Sequence, residues 1–217
     1  MPEIENPGRE RILERIQSAL QEKAPRHDFP ASGMIFPDVQ EPFERFVSEC
    51  SQNNTECIVT PDLQGSSEAV AKILAELPEG EIFAEDAPLL RAMFHPRAEN
   101  RSLRWSNEGG PRESSQATIT RAEALVARTG SIVVSAQCGG RGASAVAPVH
   151  IVIATQDQIV AGLDEAFAIL RQRDAVARNS FLCVITGSSR TADIEKILVM
   201  GAHGPRRLVV VLALKSE

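Results

Sequence analysis

Residues 56–84, ECIVTPDLQGSSEAVAKILAELPEGEIFA, decide the class of fold. Cys57, Ile58 and Val59 form a short apolar run, which predicts a strand over 56–60. Ser67 to Leu77 then carries its apolar residues at helical spacing, and a second short strand follows at 81–84. A strand, a helix and a strand in close succession are what two parallel strands joined by a crossover helix require. The class is therefore α/β, with a layered, mostly parallel sheet flanked by helices.

The same alternation recurs downstream. Apolar runs at 131–136 (SIVVSA), 149–155 (VHIVIAT), 180–186 (SFLCVIT) and 208–214 (LVVVLAL) predict strands. Between them, 161–173 (AGLDEAFAILRQR) sets Leu163, Ala166, Phe167 and Leu170 on one helical face. Thr120-Arg-Ala-Glu123 fits a capping box and predicts a helix running through AEALVAR to Gly130. Upstream, Pro42 to Cys50 predicts a helix with Phe43, Phe46 and Val47 inward.

Residues 9–22 read as a helix with Ile12, Ile16, Ala19 and Leu20 in a stripe, followed by a connector with four prolines at 23–42. Residues 1–37 are thus an N-terminal helical arm and connector, and 38–217 a single α/β domain. Residues 95–118 hold Arg97, Arg101, Arg104 and Arg112 around the single tryptophan, Trp105, and read as a solvated loop that Trp105 anchors, with a lid or docking surface as the alternative.

Composition narrows the functional classes. The 217 residues carry a net charge of -6, no basic run and only 4% aromatics, which disfavours nucleic acid. With no Tyr and one Trp, the core must rest on Val, Ile, Leu and Ala. The polar N-terminus and the lack of an 18-residue apolar run predict a cytoplasmic protein without a membrane span. Cys50, Cys57, Cys138 and Cys183 lack clustered spacing, so neither a metal site nor an iron–sulfur cluster is predicted in this chain. No cofactor is expected within it.

The sharpest chemical feature is Thr186-Gly-Ser-Ser-Arg-Thr-Ala-Asp-Ile-Glu195. Read as a strand end, a glycine turn and a helix start, it is an anion site at the carboxyl end of a strand. Gly187, Ser188, Ser189 and Arg190 would surround the anion, with Arg190 as a bidentate clamp. Thr129, Gly130 and Arg141, on glycine-bearing turns, are second contributors. The plainer reading is that the serines cap a helix whose dipole Asp193 complements. His203, on a Gly201–Pro205 turn, takes an acid/base or a structural role, as does Asp193.

Taken together, Ala127-Arg-Thr-Gly-Ser-Ile-Val-Val134, Arg141, Ala147-Pro-Val-His-Ile-Val-Ile153, Gly187–Glu195 and Gly201-Ala-His-Gly-Pro205 resemble the lactate-utilization protein C family, with its LUD domain, over about residues 118–214. The resemblance implies a fold similar to the sugar-phosphate isomerase and CoA-transferase superfamily. It also implies a non-redox part in oxidising L-lactate to pyruvate, beside iron–sulfur partner subunits that carry the clusters. Members of the family commonly show an acidic residue before the Thr-Gly turn and a proline after the first glycine of the Gly-Pro-Ser-Arg motif. Here those positions are Arg128 and Ser188. Two other functions remain open at this stage. One is a stand-alone enzyme on a phosphorylated sugar, a CoA ester or a folate-like anion, and the other is a regulatory binding module.

Overall fold

A computed structural model describes residues 7–21, 36–94, 102–110, 113–173, 179–192, 198–200 and 204–214. The chain divides into two units, Met1–Pro37 and Asp38–Glu217. In the first, Pro7–Gln21 forms helix α1, with Ile12 and Ile16 of its apolar stripe exposed.

The second unit is built on a six-stranded sheet. Its strands are β1 (Thr55–Thr60), β2 (Ile82–Ala84), β3 (Leu103–Trp105), β4 (Ala117–Arg121), β7 (Val149–Thr155) and β12 (Arg207–Ala213). Their order is β1-β12-β7-β4-β2-β3, and every pairing is parallel. Alternation along these strands sorts the core into two faces. Ile82, Ala84, Ala117, Ile119, Ile151, Ile153, Val209 and Val211 pack with helices α3 (Leu63–Glu76) and α4 (Pro88–Phe94). Each such Ile or Val, once fully buried, contributes roughly 2 kcal/mol of transfer free energy. Helix α3 starts four residues before the predicted Ser67, because Asp62 caps it by accepting the Gly65 N–H at 2.8 Å.

Val152, Ala154, Leu208, Val210 and Leu212 face the other way, onto helix α2 (Pro42–Gln52) and a second sheet. That sheet has the order β8-β5-β6-β9, from Ile159–Val160, Ala124–Val126, Ser131–Ser135 and Leu182–Ile185. Its β5–β6 and β6–β9 pairs are antiparallel and β5–β8 is parallel. Leu125, Ile132 and Val134 meet the first sheet, while Ala124, Val126 and Val133 pack on helix α5 (Leu163–Gln172) through Ala166 and Leu170. The order of layers is helices, parallel sheet, mixed sheet with α2, then α5. The α/β class read from the sequence is the one observed.

Two predicted helices are strands instead. Residues 117–121 and 124–126 are β4 and β5, so the Thr120–Glu123 capping box does not form. The Glu123 N–H instead donates to the Val133 carbonyl. Beyond β9, Arg190–Ala192 (β10) pairs antiparallel with Leu198–Met200 (β11), where a helix was expected. The 95–118 segment also differs from a solvated loop. Its 103–105 stretch is an edge strand with Arg104 buried, and Arg91 lies over the Trp105 ring at 4.2 Å. No helix among the described residues is long and apolar enough to cross a membrane.

Candidate functional site at the carboxyl ends of the parallel strands

Strands β2 and β4 are neighbours in register, and each ends in a charged residue. Glu85 follows β2 directly, and Arg121 closes β4. The Glu85 side chain is only 1% exposed, so its charge needs a partner. Arg121 supplies it three times: its backbone N–H donates to Oε2 at 2.7 Å, and Nε and Nη2 donate to Oε1 at 3.0 and 2.6 Å. Burial still holds the Glu85 carboxyl above its ordinary pKa, against the pull of Arg121.

Beside this pair lies a second carboxylate. Glu123 Oε1 accepts the Ser135 hydroxyl at 2.6 Å and the Cys138 thiol at 3.7 Å. Burial, helped by the Glu85 charge, pushes the Cys138 thiol up to about 12, so it stays protonated and does not act as a nucleophile. The loop 136–148, which leaves β6 here, crosses the sheet face. A Cβ on Gly139 would stand 3.1 Å from the Phe83 ring and 3.2 Å from Ala143 Cβ, which is why glycine occupies this place. In open α/β sheets ligands bind at this end of the strands. Among the described residues, no group of His, Cys, Asp and Glu is placed to hold a metal ion.

The predicted residues lie elsewhere. Thr129, Gly130, Gly187 and Ser188 do come together, because the β5–β6 turn and the turn after β9 both abut the last residues of α2. Asn53 Nδ2 donates to the Thr129 carbonyl at 2.9 Å. A hydroxyl chain then runs from Thr129 to Ser131 and on to Thr186, each link 2.7 Å. Gly187 (φ +85°) has no room for a Cβ, which would fall on the Asn53 carbonyl, and one on Gly130 (φ +60°) would lie 2.8 Å from the Cys50 nitrogen. The Ser188 hydroxyl is buried without a partner, and the Ser189 N–H donates to the Pro205 carbonyl at 2.9 Å.

Asn53 lies two residues before β1 and Pro205 two residues before β12, so this junction sits at the amino end of the parallel strands. The expectation of a carboxyl-end turn opening a helix is corrected: β9 belongs to the mixed sheet and leads into a hairpin. The negative end of α2 also faces the junction and opposes a full anionic charge there. Arg141 is exposed on the loop at the far end of β6, about 13 Å of strand away. Arg190 heads β10. Asp193 and His203 lie outside the described residues.

Sequence reasoning missed Glu85 and Arg121. The signal for Glu85 was its place directly after the predicted strand at 81–84. Arg121 was hidden inside the supposed helix.

A profile of the LUD domain matches residues 112–213 of this chain. Residues 112–213 are thus similar to the LUD domain family. The LUD domain so defined carries Arg121, Glu123 and Cys138, while Glu85 comes from the sequence ahead of it. The chain is 34% identical over 116 residues to lactate utilization protein C of Bacillus velezensis, covering 50% of this chain and 48% of that one. It is 29% identical over 189 residues to the Bacillus subtilis protein of the same name, covering 76% and 75%. With that of Macrococcus caseolyticus it is 23% identical over 220 residues, covering 93% and 94%. The match thus spans about half the length of the first relative and more of the other two. A crystal structure of a DUF162 family protein from Deinococcus radiodurans superposes with a TM-score of 0.62 at 21% identity, covering 80% of this chain and 96% of that one, and supports the fold.

Proposed function

We propose that the chain is a non-redox component of an L-lactate-oxidising system, binding a small anion while iron–sulfur partner proteins take the electrons as lactate becomes pyruvate. The observation that carries this reading is the similarity to proteins named lactate utilization protein C, which extends over 93% of the chain in one relative. The state of the cysteines supports a non-redox role. All four lie in, or pack against, one apolar core between α2 and the two sheets. Cys50 Sγ donates to the Gly130 carbonyl at 4.0 Å, and the interaction of the Cys50 and Cys57 thiols holds Cys50 up and Cys57 down in pKa. These sulfurs serve as core hydrophobes.

Of the predicted anion-binding set, Gly187, Ser188, Ser189, Thr129 and Gly130 stay together, and Arg190 opens the next strand. The partnerless Ser188 hydroxyl favours an acceptor there, while the α2 carbonyls oppose one. Capture of the full chain from cells grown on L-lactate tests the role. Expected are co-purifying proteins with iron–sulfur absorption, and lactate-dependent dye reduction only in their presence. Turnover of lactate, a sugar phosphate or a CoA ester by the isolated chain would favour a stand-alone enzyme.

A further inference from the structure

Among the described residues, five have buried side-chain polar atoms without a hydrogen-bond partner: Thr55, Arg104, Thr118, His150 and Ser188. Four of the five occupy a single row across the parallel sheet. The register pairs Arg104 with Phe83, Phe83 with Thr118, Thr118 with His150, His150 with Leu208, and Leu208 with Thr55. The row faces the second layer, opposite Ile82, Ile119 and Ile151. The sheet thus gathers four of these residues on one face.

Thr118 and His150 are fully buried, and Arg104 is nearly so. The nearby negative charges are already matched. Glu81 meets Arg104 Nε at 3.0 Å, Glu85 meets Arg121, and Glu123 accepts from Ser135 and Cys138. His150 Nε2 bonds Thr120 Oγ1 at 2.9 Å, and burial lowers its pKa to about 4, so the ring is neutral. What remains unspent is Arg104 Nη2, the Thr118 hydroxyl and His150 Nδ1. Neighbouring strands lie about 4.8 Å apart, so one small group can touch both Thr118 and His150. The Arg104 guanidinium lies 5.5 Å from the Phe83 ring centroid, next in the row to Thr118. Loop 136–148 covers this face through Gly139 against Phe83.

We infer that this row is a binding site for a short 2-hydroxy- or 2-oxo-carboxylic acid, held under loop 136–148 with its carboxylate toward Arg104 and its hydroxyl or oxo oxygen between Thr118 and His150. The inference rests on the reading of the chain as a small-anion-binding subunit and places the binding groups on the sheet face. A neutral imidazole and a hydroxyl can each donate or accept, which suits a hydroxyl in one acid and a carbonyl in its oxidised counterpart. The acid enters by displacement of the loop.

Calorimetric titration of the full chain at pH 7.5 with L-lactate, pyruvate and glycolate tests this. Binding of at least one acid is expected, weakened about tenfold or more by Thr118→Val and by His150→Phe. Thermal unfolding confirms that both variants are folded, and Thr118→Val, which removes a partnerless hydroxyl, should melt no lower than wild type. Undiminished binding in both variants would overturn the site, as would ordered water alone between Thr118 and His150 in crystals soaked with the acids. Loss of binding in Arg190→Ala with both row variants unaffected would overturn the site yet leave the small-anion reading intact. A wild-type chain that binds none of the acids also overturns it, and cofractionation with iron–sulfur proteins then decides the subunit role separately.

Discussion

The two ends of the parallel sheet are built on different principles. At the amino end, α2, the β5–β6 turn and the turn after β9 meet backbone against backbone, with Gly130 and Gly187 removing the side chains that would keep them apart. Polar groups there close on one another through Asn53, Thr129, Ser131 and Thr186. At the carboxyl end the contacts are made by charges, Glu85 with Arg121 and Glu123 with Ser135 and Cys138. One end is a packing joint and the other a buried electrostatic cluster. Glycines in unusual turns therefore do not by themselves mark a binding site, since those of the amino end are explained by close approach.

Substitutions can break this contrast. The largest effect is expected at the joint: Gly187→Ala combines a left-handed backbone with a clash against the Asn53 carbonyl, and should cost about 4 kcal/mol or prevent folding. Urea unfolding measures it, and a loss below about 1 kcal/mol would mean the turn can open freely.

Next comes Arg121→Met, which strands the Glu85 carboxylate in the interior. A cost of about 3 kcal/mol at neutral pH is expected, reduced because the Arg121 side chain is partly exposed. The loss should shrink toward acid pH, as the pH falls through the raised pKa of Glu85 and the stranded carboxylate takes up a proton. An equal loss at both pH values would show that the ion pair is not its source.

The third effect is a pH slope. His150 is neutral when folded, with a pKa of about 4, and ordinary when unfolded, so the unfolded chain binds the extra proton between roughly pH 6.5 and 4. Stability should fall by about 3 kcal/mol as pH drops through that window. Glu85, with its raised pKa, works in the opposite sense, gaining stability as pH falls through its own folded value. The slope should therefore steepen in Glu85→Gln and flatten in His150→Gln, and chemical unfolding at a series of pH values reads both.

Smaller effects return to the amino end. Ser188→Ala removes a buried hydroxyl with no partner and should raise stability by up to about 1 kcal/mol; a drop in melting temperature would reveal a bond to that hydroxyl. Arg207→Gln breaks surface pairs with Glu56 and Glu76 and should cost under about 1 kcal/mol, less in high salt.

Much of this framework was legible in the sequence. Strands β1, β2, β7 and β12 and helices α2, α3 and α5 carry continuous apolar runs or clean helical stripes, and the structure keeps them. The failures share a cause. Residues 122–128, AEALVAR, have high helical propensity, and Thr120 with Glu123 mimics a helix start. Tertiary pairing overrides that preference, because Leu125 must face the parallel sheet while Ala124 and Val126 face α5, an alternation only a strand provides. At 190–200 a local pattern of small polar residues suited a helix cap equally well, and nothing local announced the hairpin. The polar row was invisible because it exists only across strands, joining residues 55, 83, 104, 118, 150 and 208.

The position of β12 has a consequence for synthesis. This strand, the last of the described strands in sequence order, lies between β1 and β7 and is the only described neighbour of β1 in the sheet. While the polypeptide emerges from the ribosome, β1 has no strand to pair with until residues 207–213 are free of the exit tunnel. The sheet is therefore completed late, by inserting its final strand into a waiting slot, and a nascent chain stalled before residue 207 would show two open strand edges to any neighbour able to pair with them.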